Sequence, residues 1–171
     1  MQNASYDEKM KHKPEEFIGK MVMTMCPVTA RQKDHSNTIF VESLEEGSVG
    51  LCVGYARNVI DFLQGENILK IDMNNVVGFA NPEVLSGYSF CLTGEIVRWK
   101  RPLLIKAIEF LGGSVVKSAR KATHILQGDI ESSLKLTHAQ INDIPVLTKE
   151  EFLRLTEDAL LIGRDIPWFR P

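Results

Sequence analysis

The amino-acid sequence predicts an α/β fold over residues 87–158, preceded by a small, mainly β unit over residues 17–80. After Ser86, short apolar runs alternate with helical patterns in the order βαββαβα. That order calls for a four-stranded, mostly parallel sheet with helices on both faces. Before Asn81, short apolar runs instead follow one another and are separated by turn-forming clusters, which is typical of a mainly β structure.

The mainly β unit is expected to contain five strands, and its pattern leaves room for one helix. The apolar runs that predict strands cover residues 21–25, 38–41, 51–55, 68–71 and 76–79. The pattern allows a helix around residues 57–63, and a small barrel is one arrangement open to such short strands. This unit resembles no family that we recognise, and none of its residues distinguishes between dimerisation, partner binding and DNA contact.

Three further segments flank these two regions. Residues 1–16 are polar and charged, without apolar periodicity, and are predicted to be a disordered lead. Pro82 marks residues 81–86 as a linker, because a residue that precedes proline is pushed to extended geometry. Residues 159–171 are predicted to be a tail, in which Trp168 and Phe169 either dock on a core or form an exposed motif for a partner.

The first half of the α/β domain reads as strand, helix and two strands. Residues 88–92 have the length of a strand, and Pro102 fits the first turn of a helix, where its missing N–H costs nothing. Gly112 and Gly113 end that helix. The residues expected on its core face are Leu104, Ala107, Ile108 and Leu111. The next two predicted strands are 114–116 and 123–126.

The second half adds a helix, a strand and a final helix. Residues 133–141 predict the second helix, and its core face would combine Leu134 and Ile141 with Thr137 or His138. Residues 144–147 are the last strand. Thr148 and Glu151 have the spacing of a capping box that opens the third helix. The residues expected to pack that helix on the sheet are Phe152, Leu153 and Leu155.

Positive charge is concentrated in one part of the chain. The formal net charge is -2, and residues 1–85 hold eight Lys/Arg against twelve Asp/Glu. Residues 98–121, in contrast, contain a single acidic residue, Glu109, and seven cations: Arg98, Lys100, Arg101, Lys106, Lys117, Arg120 and Lys121. A local excess of this kind attracts polyanions, although a solvated charged face is the more ordinary reading of such a cluster.

The sequence argues against a metal site, a disulfide framework and an enzyme. Cys26, Cys52 and Cys91 are far apart and have no ligand-spaced partners, so buried thiols are expected and no cofactor is predicted. Lys70 begins a stretch similar to the K-x-D-G motif of nucleotidyl transferases, but Met73 occupies the glycine position. No Walker loop, nucleophile elbow or HExxH motif is present. The absence of a long apolar segment makes an intracellular location the expectation, in the cytoplasm or nucleoid of a bacterium or the nucleus of a eukaryote.

Several short motifs occur in an order that resembles the BRCT family. They are Gly87-YSFCLTGEI-x4-Arg101, Gly112-Gly113, Ala122-THIL, Ser133-Leu-Lys135 with Ala139, and Ile144-PVLTKEEFL. The resemblance covers residues 87–156 as a single domain. It is strongest to the BRCT domains of bacterial NAD-dependent DNA ligases and of the replication factor C large subunit. One departure is the element Ser132-Ser133-Leu134-Lys135, which keeps the lysine but lacks the glycine of the Gly-Ser-Lys type element typical of that branch.

The resemblance implies a phosphate-binding site, and the residue types agree with it. Thr93 offers a hydroxyl, and Gly94 lets an anion approach its backbone N–H because no Cβ intervenes. Lys135 would lie beside them if the first and third strands are neighbours. Arg101 would add a planar fork for two phosphate oxygens. Each residue also has a purely structural explanation. Thr93 could cap the end of the strand and Gly94 could be needed for a turn. Arg101 could be the solvent-facing flank of its helix, and Lys135 an ordinary helix cation.

Two ligands follow from the same pocket. In the first, the pocket holds a 5′-phosphorylated DNA end, and five cations contact the adjoining DNA backbone: Arg98, Lys100, Lys117, Arg120 and Lys121. Trp99 could then stack on a base or pack on its own domain. In the second, the pocket binds a phosphoserine or phosphothreonine of a partner protein, or the domain serves as a plain protein-contact module. The cation excess and Arg101 favour DNA, so we expect a non-catalytic DNA-binding module of DNA replication or repair.

Overall fold

The computed structural model describes residues 12–33, 39–95, 100–130 and 132–163. The chain divides into two compact units. Of the described residues, those up to 80 and residues 160–163 belong to the first unit, and those from 81 to 159 belong to the second. In sequence, the second unit therefore interrupts the first.

Twelve strands and three α-helices occur in the described residues. The strands that precede the second unit are β1 (Met21–Thr24), β2 (Val28–Lys33), β3 (Ile39–Leu44), β4 (Val49–Ala56), β5 (Val59–Gln64), β6 (Asn67–Asp72) and β7 (Val76–Phe79). The later strands are β8 (Ser89–Thr93), β9 (Ser114–Val115), β10 (His124–Gln127), β11 (Val146–Thr148) and β12 (Leu160–Ile162). The helices are α1 (Arg101–Phe110), α2 (Leu134–Ile141) and α3 (Lys149–Thr156).

The first unit is an antiparallel sheet of eight strands in the order β12-β7-β1-β4-β5-β6-β2-β3. Strand alternation builds its core, since every second residue faces the same side. In β5, Ile60 and Phe62 are fully buried, and both belong to one apolar cluster with Val22 of β1, Cys52 of β4 and Leu69 of β6. Burial raises the pKa of the Cys52 thiol, which keeps this group protonated inside the core.

The helix predicted around residues 57–63 is wrong. Arg57 has a φ of 55°, and this left-handed residue turns the chain back on itself between β4 and β5. The two strands pair as a hairpin in which Ala56 faces Val59. Ile60 and Phe62 alternate with less buried residues, as expected for a strand. Pairing with the neighbouring strands therefore outweighs the weak helical pattern of this segment.

Strands β2 and β12 were not predicted from the sequence. In β2, the inward residues Val28 and Ala30 alternate with Thr29, so the segment carries no continuous apolar run. Strand β12 lies within residues 159–171, which the sequence suggested to be a tail. It pairs antiparallel with β7, with Leu161 opposite Gly78. Leu161 is buried in the core cluster of the first unit, so this unit is completed by residues that follow the second one.

The second unit has a parallel sheet of four strands in the order β11-β10-β8-β9. This confirms the predicted BRCT-type α/β architecture and the preceding mainly β unit. Residues 81–86, predicted as a linker, form turns in this unit, and Leu85 is fully buried. On α1, the expected core residues Leu104, Ala107, Ile108 and Leu111 are all buried.

The two faces of β8 point to different helices. Phe90 packs edge-on against Phe152 of α3, with ring centroids 5.7 Å apart. Cys91 faces the opposite side and belongs to a buried cluster with Ala139 of α2. Since side chains alternate along a strand, Thr93 shares the α2 face with Cys91. This alternation directs the last residue of β8 towards the start of α2.

The predicted core face of α2 is wrong. Leu134 is 90% exposed and Ile141 is 75% exposed, whereas Ala139 is fully buried and Leu136 packs beside it. Tertiary contacts set this orientation. Ser133, the N-cap of α2, contacts Thr93, and Lys135 bonds to Leu92, so both residues face β8 and Leu134 between them points outward. No helix among the described residues is long and apolar enough to span a membrane.

The capping box of α3 gives a first prediction. The Thr148 hydroxyl accepts from the Glu151 N–H at 3.2 Å, and the Glu151 carboxylate accepts from the Thr148 N–H at 3.3 Å, as predicted. Replacing Thr148 with alanine removes the first bond, so the free energy of unfolding should fall by about 1 kcal/mol in urea denaturation. Thr148→Ser retains the hydroxyl and should lose much less; an equal loss in both variants would refute the cap.

The contribution of β12 gives a second prediction. Leu161→Ala removes a buried side chain from the core of the first unit and should lower the free energy of unfolding by about 2–5 kcal/mol. Leu134→Ala is the matched control, because that leucine is 90% exposed and should cost little. If both variants unfold at the urea concentration of the wild type, β12 does not belong to the core.

Candidate phosphate-binding site

The carboxyl ends of β8 and β10 form the edge at which the candidate residues meet. The two strands are parallel neighbours, and Thr93 lies opposite Gln127. Beyond them, the Gly128 N–H donates to the Thr93 carbonyl at 2.8 Å and the Asp129 N–H donates to the Glu95 carbonyl at 2.6 Å. The loops that leave both strands are therefore bonded to each other. A ligand at this edge would contact loops whose backbones are held in place by these hydrogen bonds.

Thr93 places a hydroxyl at the start of α2. Its side chain is 4% exposed, and its Oγ1 lies 3.0 Å from the Oγ of Ser133. The Ser133 Oγ also accepts from the Leu136 N–H at 3.1 Å. The contact between the hydroxyls uses only one of their two hydrogens. The other remains available as a donor to a ligand.

Gly94 is required by two independent constraints. Its φ is 76°, in the left-handed region that residues with a Cβ rarely adopt. A Cβ at this position would also lie 2.6 Å from Cγ2 of Ile130, in the loop after β10. Glycine thus allows the chain to turn sharply after Thr93 while the neighbouring loop packs against it.

Lys135 brings positive charge to the same edge. Its Nζ donates to the Leu92 carbonyl at 2.9 Å, although Lys135 lies on α2 and Leu92 on β8. An ammonium group has three donors, so this bond leaves two N–H groups for other acceptors. The half-buried side chain holds the cation one residue from Thr93. Thr93, Gly94 and Lys135 are thereby gathered into one site.

Arg101 is not joined to that group by a contact. It is the first residue of α1 and is exposed, and no ion pair connects it with another residue in the described ranges. Lys100 precedes it as the N-cap, without a side-chain bond that caps the helix. The start of α1 therefore presents two cations and backbone N–H groups, a combination that favours anions.

The other predicted cations do not gather at the same edge. Arg120 and Lys121 lie in a 3-10 turn that precedes Thr123, and Thr123 bonds to Ser89 at the beginning of β8. They therefore lie towards the opposite end of this strand from Thr93. Lys117 is nearer the middle, because its carbonyl accepts from the Cys91 thiol at 3.6 Å. Arg98 and Trp99 are outside the described residues.

Sequence reasoning missed Ser133 and Ile130 as parts of the site. Ser133 stands just before an apolar helical pattern, which is a recognisable N-cap signal. That signal predicts the helix start but does not reveal the contact with Thr93. Ile130 lies in a loop with no regular pattern, so its packing against Gly94 follows only from the structure.

Comparisons with known proteins agree with the fold of the second unit. A family model described as the BRCA1 C Terminus (BRCT) domain matches residues 80–155. A DNA ligase of Desulfitobacterium hafniense is 33% identical over 124 residues, which cover 67% of this chain and 18% of the ligase. A DNA ligase of Caldicellulosiruptor saccharolyticus is 34% identical over 109 residues, covering 58% of this chain and 16% of that protein.

A DNA ligase of Symbiobacterium thermophilum is 41% identical over 69 residues, covering 40% of this chain and 10% of the ligase. The chain thus spans less than a fifth of the length of these curated relatives. The resemblance to bacterial DNA ligases expected from the motifs is confirmed. Together with the parallel sheet of four strands and its three helices, the matched region identifies residues 80–155 as a BRCT domain.

Proposed function

We propose that the BRCT domain binds the terminal 5′ phosphate of DNA and thereby localises the protein to DNA ends in replication or repair. The observation that carries this proposal is the convergence of Thr93, Gly94 and Lys135 at one sheet edge. A phosphate requires neutralising charge and directional donors. Lys135 supplies the charge, while the leftover hydroxyl hydrogen of the Thr93–Ser133 pair and the Gly94 backbone supply donors.

The state of Lys135 without a ligand agrees with such a role. Its Nζ bonds to the Leu92 carbonyl, which is a neutral acceptor and does not neutralise the ammonium charge. Hydrogen bonds to a charged acceptor are shorter and about twice as strong as neutral ones. A phosphate at this edge would therefore give the ammonium group a better partner. The protein already positions Lys135 there, so little side-chain ordering remains to be done on binding.

The choice of DNA over a phosphorylated protein rests on charge and on the relatives. Arg101 and Lys100 at the start of α1 add cations that a single phosphoserine does not require. The curated relatives of this domain are DNA ligases, proteins that act on DNA. A role in binding without catalysis fits a BRCT domain, which is generally non-catalytic. Recognition of a phosphopeptide becomes a possible outcome of the test below.

The proposed function is tested by comparing the affinities of the wild type and Lys135→Ala for two labelled duplexes that differ only in the 5′ phosphate. The wild type should bind the phosphorylated duplex more tightly, and its affinity should fall with increasing salt. Lys135→Ala should lose the preference for phosphate, with affinity about 10-fold lower for the phosphorylated duplex. Fluorescence anisotropy at two salt concentrations measures both quantities.

Lys106→Ala is the matched control for the loss of one positive charge. Lys106 is an exposed lysine within α1, and none of the bonds described above for Thr93, Ser133 or Lys135 involves it. This variant should retain the preference for the phosphorylated duplex. Equal binding of both duplexes by the wild type would contradict the proposal, and binding of a phosphoserine peptide lost in Lys135→Ala would then assign the pocket to a protein ligand.

A further inference from the structure

An exposed leucine lies between two residues of the candidate site. Leu134 is the first residue of α2 and is 90% exposed. Its neighbours in sequence are Ser133, whose Oγ contacts Thr93, and Lys135, whose Nζ bonds to Leu92. Consecutive Cα atoms are about 3.8 Å apart, so the Leu134 side chain begins within one residue of both. Any ligand held by Lys135 therefore has an apolar neighbour.

The exposure of Leu134 follows from the geometry of the helix start. Ser133 and Lys135 both turn towards β8, and successive residues on a helix point about 100° apart. Leu134, between them, is directed away from the strand. The core of the unit is instead contacted by Leu136 and Ala139. Single exposed apolar side chains are common on protein surfaces. The exposure of Leu134 is therefore informative only because this residue lies between Ser133 and Lys135 of the candidate site.

The distribution of charge indicates on which side of the site a polyanion can lie. Helix α2 contains one lysine, one histidine and no carboxylate. Glu95, in contrast, lies in the loop after β8 and is exposed. A DNA strand attached to a phosphate at Lys135 would be repelled by this carboxylate. Its passage over the start of α2 meets no carboxylate of the helix and brings it to Leu134.

We propose that Leu134 packs against the exposed face of the terminal base pair of a DNA duplex whose 5′ phosphate is held by Thr93, Gly94 and Lys135. This inference rests on the proposed function of that site. At a duplex end, the last base pair has one face that is not stacked on a neighbour. Leucine is among the apolar side chains that proteins place against base-pair faces. Leu134 would thus recognise the exposed terminal base pair, while the phosphate site binds the 5′ phosphate.

The test uses the full chain, a blunt 5′-phosphorylated duplex and two variants of α2. Leu134→Ala should weaken binding about 5- to 10-fold, as expected for loss of an apolar contact with a base. Ile141→Ala is the matched control, because Ile141 is 75% exposed at the other end of the same helix. It should bind the duplex within about twofold of the wild type. Neither variant removes a buried side chain, so both should remain folded.

A second readout follows the base itself. The duplex carries the fluorescent base 2-aminopurine at its 5′-terminal position, next to the phosphate. Binding of the wild type and of Ile141→Ala should change its fluorescence, and saturation with Leu134→Ala should not. An unchanged affinity or an unchanged fluorescence response in Leu134→Ala would overturn the inference, as would an equal loss in Ile141→Ala.

The failure of this inference is distinguishable from failure of the proposed function. If Lys135→Ala abolishes the preference for the 5′ phosphate but Leu134→Ala behaves as the wild type, only the base contact is wrong. If Lys135→Ala binds the phosphorylated duplex as tightly as the wild type, the phosphate site is wrong and the base contact falls with it.

Discussion

The parallel pairing of β8 with β10 determines where every residue of the candidate site lies. It sets Thr93 opposite Gln127 and lets the loops after both strands bond to each other. Helix α2 follows the second of these loops, so its first turn returns to the end of β8. The hydroxyl pair of Thr93 and Ser133 and the bond from Lys135 to Leu92 then link helix and strand. If these strands were not neighbours, residues separated by 40 positions would not form one site.

This arrangement concentrates polar groups at one place in an otherwise apolar unit. Thr93 is one of few buried polar residues in the described chain, and its hydroxyl is hydrogen-bonded to that of Ser133. Buried polar groups are tolerated when they are hydrogen-bonded, and pairs of them restrict the geometry around them. The site is therefore partly built before any ligand arrives. Leu134 and Lys135 share a single helical turn, so under our proposal a phosphate at Lys135 brings the group attached to it close to Leu134.

The sequence predicts the second unit better than the first, for physical reasons. Alternating strands and helices have different periods, and Pro102, Gly112 and the Thr148–Glu151 pair mark helix ends. Strand β5 was missed because the turn before it depends on a left-handed conformation of Arg57, which cannot be predicted from an arginine. Strand β12 was missed because its partner β7 precedes the whole second unit, and pairing over such a separation leaves no local signal. Thr93, Gly94 and Lys135 could be named from motif spacing, whereas Ser133, Ile130 and the outward rotation of Leu134 depend on tertiary contacts.

Binding of a 5′ phosphate at the edge formed by the end of β8 and the start of α2 can be measured by titration of the ¹⁵N-labelled chain with a short duplex, with and without a 5′ phosphate, because backbone amides report on local binding. We expect the largest phosphate-dependent shifts at Gly94 and at residues 134–136. Identical shifts with both duplexes, or phosphate-dependent shifts confined to Arg120 and Lys121 at the other end of the strand, would contradict phosphate binding at this edge.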